Sequence, residues 1–249
     1  MTNSIATIKT LILLATLFIG VESSAQQNVI LICKDQSGSV QPTEIQQAEE
    51  DALLKKHLIE HIKQPGDAVV LSYLYKNTAS VTNERVFTWN SPKLSNSDQS
   101  DELKTARDRS SQLKSRFGFV NRVVETVKTY QPKSDETRIL EALPRLVKWV
   151  EKSENVQIIF LSDLIEYSPR RKLLNLNSKQ EAEDKAKADI DAIVKDFHLS
   201  PSNCPGLMID CYLPVELMDN RATFQFIQYY WQVVFEQLFQ TYNVKFHTL

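Results

Sequence analysis

The chain has 249 residues, of which 42% are hydrophobic and 24% are charged. These values are those of a globular protein with room for one substantial core, in one domain or two. The formal net charge is −2 and charges of both signs are interspersed, which argues against a dedicated nucleic-acid-binding protein.

The N-terminal residues have the pattern of a secretory signal. Lys9 precedes an apolar run over residues 11–21, and small residues follow at 23–25. The run is too short for a comfortable membrane span. We therefore expect residues 1–25 to be a signal peptide, with an uncleaved anchor as the alternative. After cleavage near Gln26, the protein would be secreted or periplasmic, with no stable membrane anchor.

Strand-like apolar segments alternate with segments of helical periodicity along the rest of the chain. We predict strands over residues 29–33, 68–75, 85–89, 156–161, 207–213 and 244–249. We predict helices over residues 43–63, 101–130 with a break near Phe117, 137–152 and 221–242, together with a charged segment from residue 169 that becomes a helix ending near Phe197. This alternation predicts a single α/β domain over residues 26–249, with a doubly wound, mostly parallel sheet and one antiparallel edge strand in a hairpin.

Oxygen-bearing side chains follow the first predicted strand at a regular spacing. Asp35, Ser37 and Ser39 come just after the apolar run over residues 29–33. One carboxylate and two hydroxyls are hard ligands, which suit Mg²⁺ far better than zinc or copper. Because ligands bind at the carboxyl ends of strands in open α/β sheets, we expect a metal site here. The simpler alternative is that these residues only cap the following helix.

Two more oxygen-bearing residues occupy comparable places. Thr137 opens a predicted helix ahead of an Ala–Leu pair, and Asp163 follows the predicted strand over residues 156–161. Five residues resemble, in order and position, the metal-ion-dependent adhesion site of von Willebrand factor type A domains: Asp35, Ser37 and Ser39 as the DxSxS motif, Thr137 as the threonine and Asp163 as the last aspartate. The order of elements resembles this Rossmann-like family over nearly the whole mature chain.

The resemblance implies that the two carboxylates bind a divalent ion directly or through water, while the three hydroxyls offer neutral oxygens. Mg²⁺ fits because it prefers six oxygens and keeps several waters, and Mn²⁺ or Ca²⁺ can substitute. Two carboxylates only just balance a divalent charge, so the ion can accept an Asp or Glu carboxylate from a partner protein. The implied function is that of an exported, non-enzymatic module that binds another protein.

The chain departs from the family at the rim of this site. Leu164 stands where the family often has glycine after the last aspartate, and Asp135 and Glu136 replace small residues in the threonine loop. The ligands stay intact, but the width and charge of the rim differ from the family pattern.

Three other functions compete with this one. The same fold can bind partners without a metal. Asp35 can also serve a metal-dependent phosphoesterase, although the motif has no accompanying general-base histidine or glycine-rich phosphate loop. Finally, His57, Glu60 and His61 match the HxxEH pattern of zinc peptidases. The apolar periodicity around them instead favours incidental surface histidines on an amphipathic helix.

The three cysteines give no indication of a nucleophile. Cys204 and Cys211 bracket a Pro–Gly turn and can close a small loop in an oxidising compartment. Cys211 falls in a predicted strand that can hold it away from Cys204. The sequence therefore does not decide whether this disulfide forms. We expect Cys33, in the first strand, to be a small buried hydrophobe.

Overall fold

The computed structural model describes residues 26–36, 43–80, 83–91, 102–129, 134–168, 171–173, 176–200, 204, 206–214 and 221–248. Its strands are β1 (Gln26–Asp35), β2 (Ala68–Leu74), β3 (Glu84–Thr88), β4 (Ser153–Leu161), β5 (Tyr167–Ser168), β6 (Arg171–Lys172), β7 (Met208–Leu213) and β8 (Val244–Thr248). Its helices are α1 (Glu44–His61), α2 (Glu102–Thr129), α3 (Leu143–Glu151), α4 (Lys179–Phe197) and α5 (Arg221–Phe239).

Six strands form the main sheet in the order β3-β2-β1-β4-β7-β8. Within the described residues, only β3 is antiparallel to its neighbour in this sheet, and it forms the predicted hairpin with β2. The final strand β8 pairs in parallel with β7 and closes the opposite edge. The predicted single α/β domain with a mostly parallel sheet and one antiparallel edge strand is confirmed.

Each face of the sheet has its own apolar core, as a doubly wound fold requires. On one face, Leu58 of α1 and Val123 of α2 share a buried cluster with Ile32 of β1. On the other face, α3, α4 and α5 cover the sheet, and Phe160 of β4 stacks on Phe235 of α5 with ring centroids 5.0 Å apart. The central strands β1 and β4 are thus buried on both sides, and their carboxyl ends meet at one edge of the domain.

Helix α2 is continuous, so the predicted break near Phe117 is wrong. A glycine inside a helix costs about 1 kcal/mol relative to alanine, and Gly118 lies in the middle of this one. The next residues, Phe119, Val120 and Val123, are buried against the sheet. Packing of this face therefore outweighs the local preference for a break.

Helix α3 begins at Leu143, so the predicted helical start at Thr137 is also wrong. Pro144 lies in the first turn of α3, where its missing N–H costs no hydrogen bond. A helix that began at Thr137 would place Pro144 in its interior and lose a backbone hydrogen bond. Residues 137–142 instead form an isolated bridge and turns.

The charged segment after residue 169 contains one feature that we did not predict. Strands β5 and β6 form a small antiparallel ribbon before α4. Helix α4 ends at Phe197 as predicted, and Ser178 caps its start by accepting a hydrogen bond from the backbone of Glu181 at 3.1 Å.

All three cysteines are buried and free, so the Cys204–Cys211 disulfide is not formed. Cys211 lies within β7 and faces the core, whereas the thiol of Cys204 donates to the carbonyl oxygen of Glu154 at 3.6 Å. Cys33 is a buried hydrophobe as expected, and burial raises the pKa of its thiol well above its usual range.

The predicted signal peptide, residues 1–25, lies outside the described residues. Among the helices that the structure does describe, none combines the length and the apolar character needed to cross a membrane.

Candidate functional site

Asp35 lies at the carboxyl end of β1, next to the end of β4. Strands β1 and β4 pair in parallel with Lys34 opposite Leu161, which places the following residues side by side. The hydroxyl of Ser162 donates to Oδ2 of Asp35 at 2.8 Å, and the hydroxyl of Thr137 lies 3.4 Å from its Oδ1. All three side chains are buried. The structure therefore brings Thr137 to Asp35, as the sequence predicts.

Asp163 follows β4 and is 1% exposed. Its Oδ1 accepts a hydrogen bond from the backbone N–H of Ile165 at 2.9 Å, and the hydroxyl oxygen of Ser162 accepts one from Leu164 at 3.0 Å. These two bonds fold the chain into a tight turn directly beyond the strand. The turn holds the carboxylate of Asp163 beside the end of β4.

Leu164 has a positive φ of 57°, in the left-handed region that favours glycine. Glycine would adopt this conformation at less cost than leucine does. Here the leucine side chain is fully buried, and the indole N–H of Trp231 donates to the carbonyl oxygen of Leu164 at 2.7 Å. Burial and this hydrogen bond hold the turn in a conformation that leucine alone disfavours.

Thr137 is held by the segment that follows Asp163, not by a helix. Its backbone exchanges two hydrogen bonds with Tyr167, at 2.9 and 2.8 Å. Oε2 of Glu166 accepts the backbone N–H groups of Ile139 and Leu140, at 2.6 and 3.1 Å. The threonine loop is thus locked to the chain beyond β4, and an N-cap role for Thr137 is excluded.

Two predicted ligands, Ser37 and Ser39, lie outside the described residues. Conversely, sequence analysis missed Ser162 and Glu166. Ser162 had a usable signal, because it follows a buried strand as Asp35 does. Glu166 had none, because its role depends on a contact with backbone groups far away in sequence.

The described side chains fit a small oxygen-binding cation. Two cis ligands of an octahedral Mg²⁺ at about 2.1 Å lie about 3.0 Å apart, close to the 3.4 Å between the oxygens of Thr137 and Asp35. The nearest cation in sequence, Lys34, points to the opposite face of the sheet and pairs with Glu50.

The acidic residues of the threonine loop are partly neutralised. The guanidinium of Arg138 pairs with Glu136 at 2.6 Å and with Glu141 at 3.0 Å. The hydrogen bond to Glu136 is the main reason that the pKa of Arg138 is raised. Asp135 is exposed, and the one positive charge of Arg138 stands against three carboxylates, so these four residues together carry a formal charge of −2.

A second polar cluster lies where α1 meets β4, β7 and β8, and we call it the imidazole seam. His57 hydrogen-bonds the hydroxyl of Tyr212 through Nε2 at 2.7 Å and the amide of Gln157 through Nδ1 at 2.8 Å. Asp210 accepts from Gln157 at 2.9 Å and contacts His247 at 2.9 Å. His57 is half-buried, so the expectation of incidental surface histidines is wrong for it. Burial lowers the pKa of the His57 imidazole.

No protein-family model matches the chain, and no curated protein matches its sequence. Among solved structures, the chain is similar to the pilus adhesin SpaC from Lactobacillus rhamnosus GG, in an open conformation, with a TM-score of 0.40 and 10% identity over 85% of this chain and 27% of that chain. It is also similar to proximal thread matrix protein 1 from the mussel byssus, with a TM-score of 0.33 and 12% identity over 84% of this chain and 47% of that chain. The chain thus spans less than half the length of either protein.

Proposed function

We propose that this chain is an exported von Willebrand factor type A-like module that binds another protein through a divalent ion and is not an enzyme. One observation supports this most directly. The buried oxygens of Asp35 and Thr137, 102 residues apart in sequence, lie 3.4 Å from each other. Asp163 is buried on the strand end that adjoins Asp35. The DxSxS pattern supplies Ser37 and Ser39 as the remaining proposed ligands.

In this proposal, the bound ion supplies an electrophilic position that a carboxylate of the partner can occupy. The protein contributes orientation. Ser162 fixes one oxygen of Asp35 through its hydrogen bond of 2.8 Å, and Glu166 holds the turn that carries Thr137. Because Asp35 and Asp163 together carry two negative charges, the ion keeps enough attraction for a third carboxylate.

The first test is a thermal-shift titration of the untagged chain with Mg²⁺, Mn²⁺ and Ca²⁺. A ligand that binds only the folded state at 100 times its Kd adds about 2.7 kcal/mol to the free energy of unfolding. For a domain of this size, we expect the melting temperature to rise by roughly 5–10 °C. The Asp35→Ala variant should lose this rise.

Asp189→Ala is the matched control. Asp189 is also a buried carboxylate, and it accepts a hydrogen bond from the hydroxyl of Tyr230 at 2.7 Å, in the core that contains α5. This variant should melt at a lower temperature and still respond to Mg²⁺. Identical responses of wild type and Asp35→Ala would refute the metal site and leave a metal-independent module of the same fold.

Partner binding and catalysis need separate tests. A protein captured by wild type in Mg²⁺, but neither in EDTA nor by Asp35→Ala, would support docking through the ion. A panel of phosphoesters, with Mg²⁺ or Mn²⁺ present, checks the phosphoesterase alternative. Turnover that disappears in Asp35→Ala would overturn the non-enzymatic assignment. Export is checked by N-terminal sequencing of the mature protein, which should begin near Gln26.

A further inference from the structure

The imidazole seam occupies a part of the sheet where polar side chains replace an apolar core. Strand pairing places Asp210 beside Lys245 and Tyr212 beside His247 on the face that α1 and α2 cover elsewhere. Lys245 is exposed and His247 is partly exposed. Among the described residues, polar side chains that are accessible to solvent therefore lie between this face of β7 and β8 and helix α1.

Three potential ligands converge at the end of α1 beside this face. His57 and His61 are one helical turn apart, and Glu60 lies between them in sequence. One ligand atom from each of the three side chains lies within 4.8 Å of the others. Glu60 is exposed and both histidines are partly exposed, so an ion can enter from solvent.

We propose that His57, Glu60 and His61 form a binding site for a borderline transition-metal ion such as Zn²⁺, separate from the site at the strand ends. Two imidazole nitrogens and one carboxylate form a ligand set that zinc accepts, with a water as the fourth ligand. Ligands of tetrahedral zinc lie about 3.3 Å apart, so the ligand atoms, which lie within 4.8 Å of one another, need to close by at most about 1.5 Å. Movement of the exposed Glu60, and of His57 as it exchanges partners, supplies this closure.

His61 already has the orientation of a metal ligand. Its Nδ1 donates to the backbone carbonyl oxygen of His57 at 3.0 Å, which leaves the lone pair of Nε2 available. Metal-binding histidines usually donate their second ring nitrogen to such an acceptor, which fixes tautomer and ring direction. In this structure, the helix itself provides that acceptor.

His57 must exchange partners when it binds the ion. Gln157 donates to its Nδ1, so the proton of the neutral ring lies on Nε2, which donates to the hydroxyl of Tyr212. Coordination through Nε2 moves this proton to Nδ1. Oε1 of Gln157 is buried without a hydrogen-bond partner in the described part of the chain and can accept it after the amide turns. The turn also breaks the hydrogen bond that Gln157 donates to Asp210 and brings Oε1 near this carboxylate, so of these two contacts Asp210 keeps only the one with His247.

This exchange predicts an unusual effect of one mutation. The hydroxyl of Tyr212 competes with the metal for Nε2 of His57. Tyr212→Phe removes that competition and keeps the ring that stacks on His247 with centroids 4.6 Å apart. The variant should bind zinc at least as tightly as the parent chain, whereas a residue that merely supports the fold would weaken binding when it is changed.

The experiment is a calorimetric titration of Zn²⁺ into the untagged Asp35→Ala chain, which we call the background chain, in excess Mg²⁺. The mutation and the Mg²⁺ together prevent Zn²⁺ from binding at the strand ends, so the heat reports only the histidine site. We expect one Zn²⁺ per chain with a Kd of about 10 µM or tighter. His57→Gln and His61→Gln should each weaken binding by about tenfold or more. Circular dichroism of each variant confirms that the helices are retained.

His198→Asn is the control, because His198 lies at the end of α4 with a φ of 51° that asparagine tolerates. It should leave zinc binding unchanged. The site would be overturned if the background chain bound no zinc, or if His57→Gln and His61→Gln bound zinc as tightly as the background chain does. Weaker binding by Tyr212→Phe would overturn the partner exchange at His57.

Discussion

The strand-end site and the imidazole seam place polar groups on the same sheet by different means. At the strand ends, Asp35 and Ser162 are neighbours because two parallel strands stop together. In the seam, His57 reaches Tyr212 across 155 residues only because α1 packs at one particular height and angle on the sheet. The first arrangement follows from topology, whereas the second depends on packing.

The two regions also differ in the ions that they suit. The described side chains at the strand ends, Asp35, Thr137, Ser162 and Asp163, offer carboxylate and hydroxyl oxygens, which would favour hard ions such as Mg²⁺ in the proposed site. The seam offers imidazole nitrogens beside a carboxylate, which suit borderline ions such as Zn²⁺. A mutation in one region should therefore change the response to its own ion and leave the other response intact, and the predictions below depend on this separation.

The largest expected effect comes from Glu166→Ala in the strand-end region. Glu166 is 4% exposed and accepts the N–H groups of Ile139 and Leu140. Its removal leaves two donors without this acceptor, so we expect the free energy of unfolding to fall by about 2–4 kcal/mol. The loss of position at Thr137 should also weaken the response to Mg²⁺. Urea denaturation in EDTA measures the first effect and thermal shift the second.

Glu136→Ala is the matched control for this change. Glu136 belongs to the same loop, but its ion pair with Arg138 is partly exposed, and such pairs contribute at most about 1 kcal/mol. Equal losses of stability in the two variants would mean that Glu166 does not hold the loop.

The contrast between the regions also explains what the sequence could predict. Hydrophobic periodicity placed every strand of the main sheet, and the position of Asp35 and Asp163 after buried strands indicated a site at one edge. Ser162 could have been found by the same rule. The start of α3 differs from the prediction because Pro144 favours the first turn of a helix. The predicted break in α2 is absent because Phe119 and its neighbours are buried, which a local pattern does not reveal.

Other features had no signal in the sequence that local rules could detect. Glu166 bonds backbone groups 27 and 26 residues away. The network of His57, Gln157 and Asp210 depends on the register between β4 and β7 and on the position of α1. Such contacts require the packed structure, since no local pattern distinguishes these polar residues from solvated ones.

Thr137→Val separates ion binding from stability and should have an intermediate effect. The bond from Thr137 to Asp35 is 3.4 Å long, well beyond the 2.7–2.8 Å typical of strong hydroxyl bonds, so its loss should change stability in EDTA by less than about 1 kcal/mol. The loss of one oxygen ligand should weaken Mg²⁺ binding by about tenfold. Thermal-shift titrations with Mg²⁺ and with Zn²⁺ measure how the melting temperature of the same protein responds to each ion.

Thr137→Ser restores the hydroxyl and should recover most of the Mg²⁺ response. Zinc binding at the seam should be the same in wild type, Thr137→Val and Thr137→Ser. A valine variant that binds Mg²⁺ as wild type does would remove Thr137 from the ligand set, even if Asp35 remained essential.

The smallest expected effect is a pH dependence that belongs to the seam alone. Burial lowers the pKa of His57 below its usual 6.5, against an opposing contribution from Asp210. The unfolded chain therefore binds this proton more readily than the folded chain. The stabilising contribution of neutral His57 is complete above about pH 6.5 and declines as the pH falls below it.

The measurement is the urea concentration at the midpoint of unfolding, in EDTA, at pH 7.5 and at pH 5.5. The decrease in this midpoint from pH 7.5 to pH 5.5 should be larger for wild type than for His57→Gln. Asp35→Ala should keep the wild-type difference, because its mutation lies outside the seam. If His57→Gln and wild type lose the same stability on acidification, His57 is not the group that titrates.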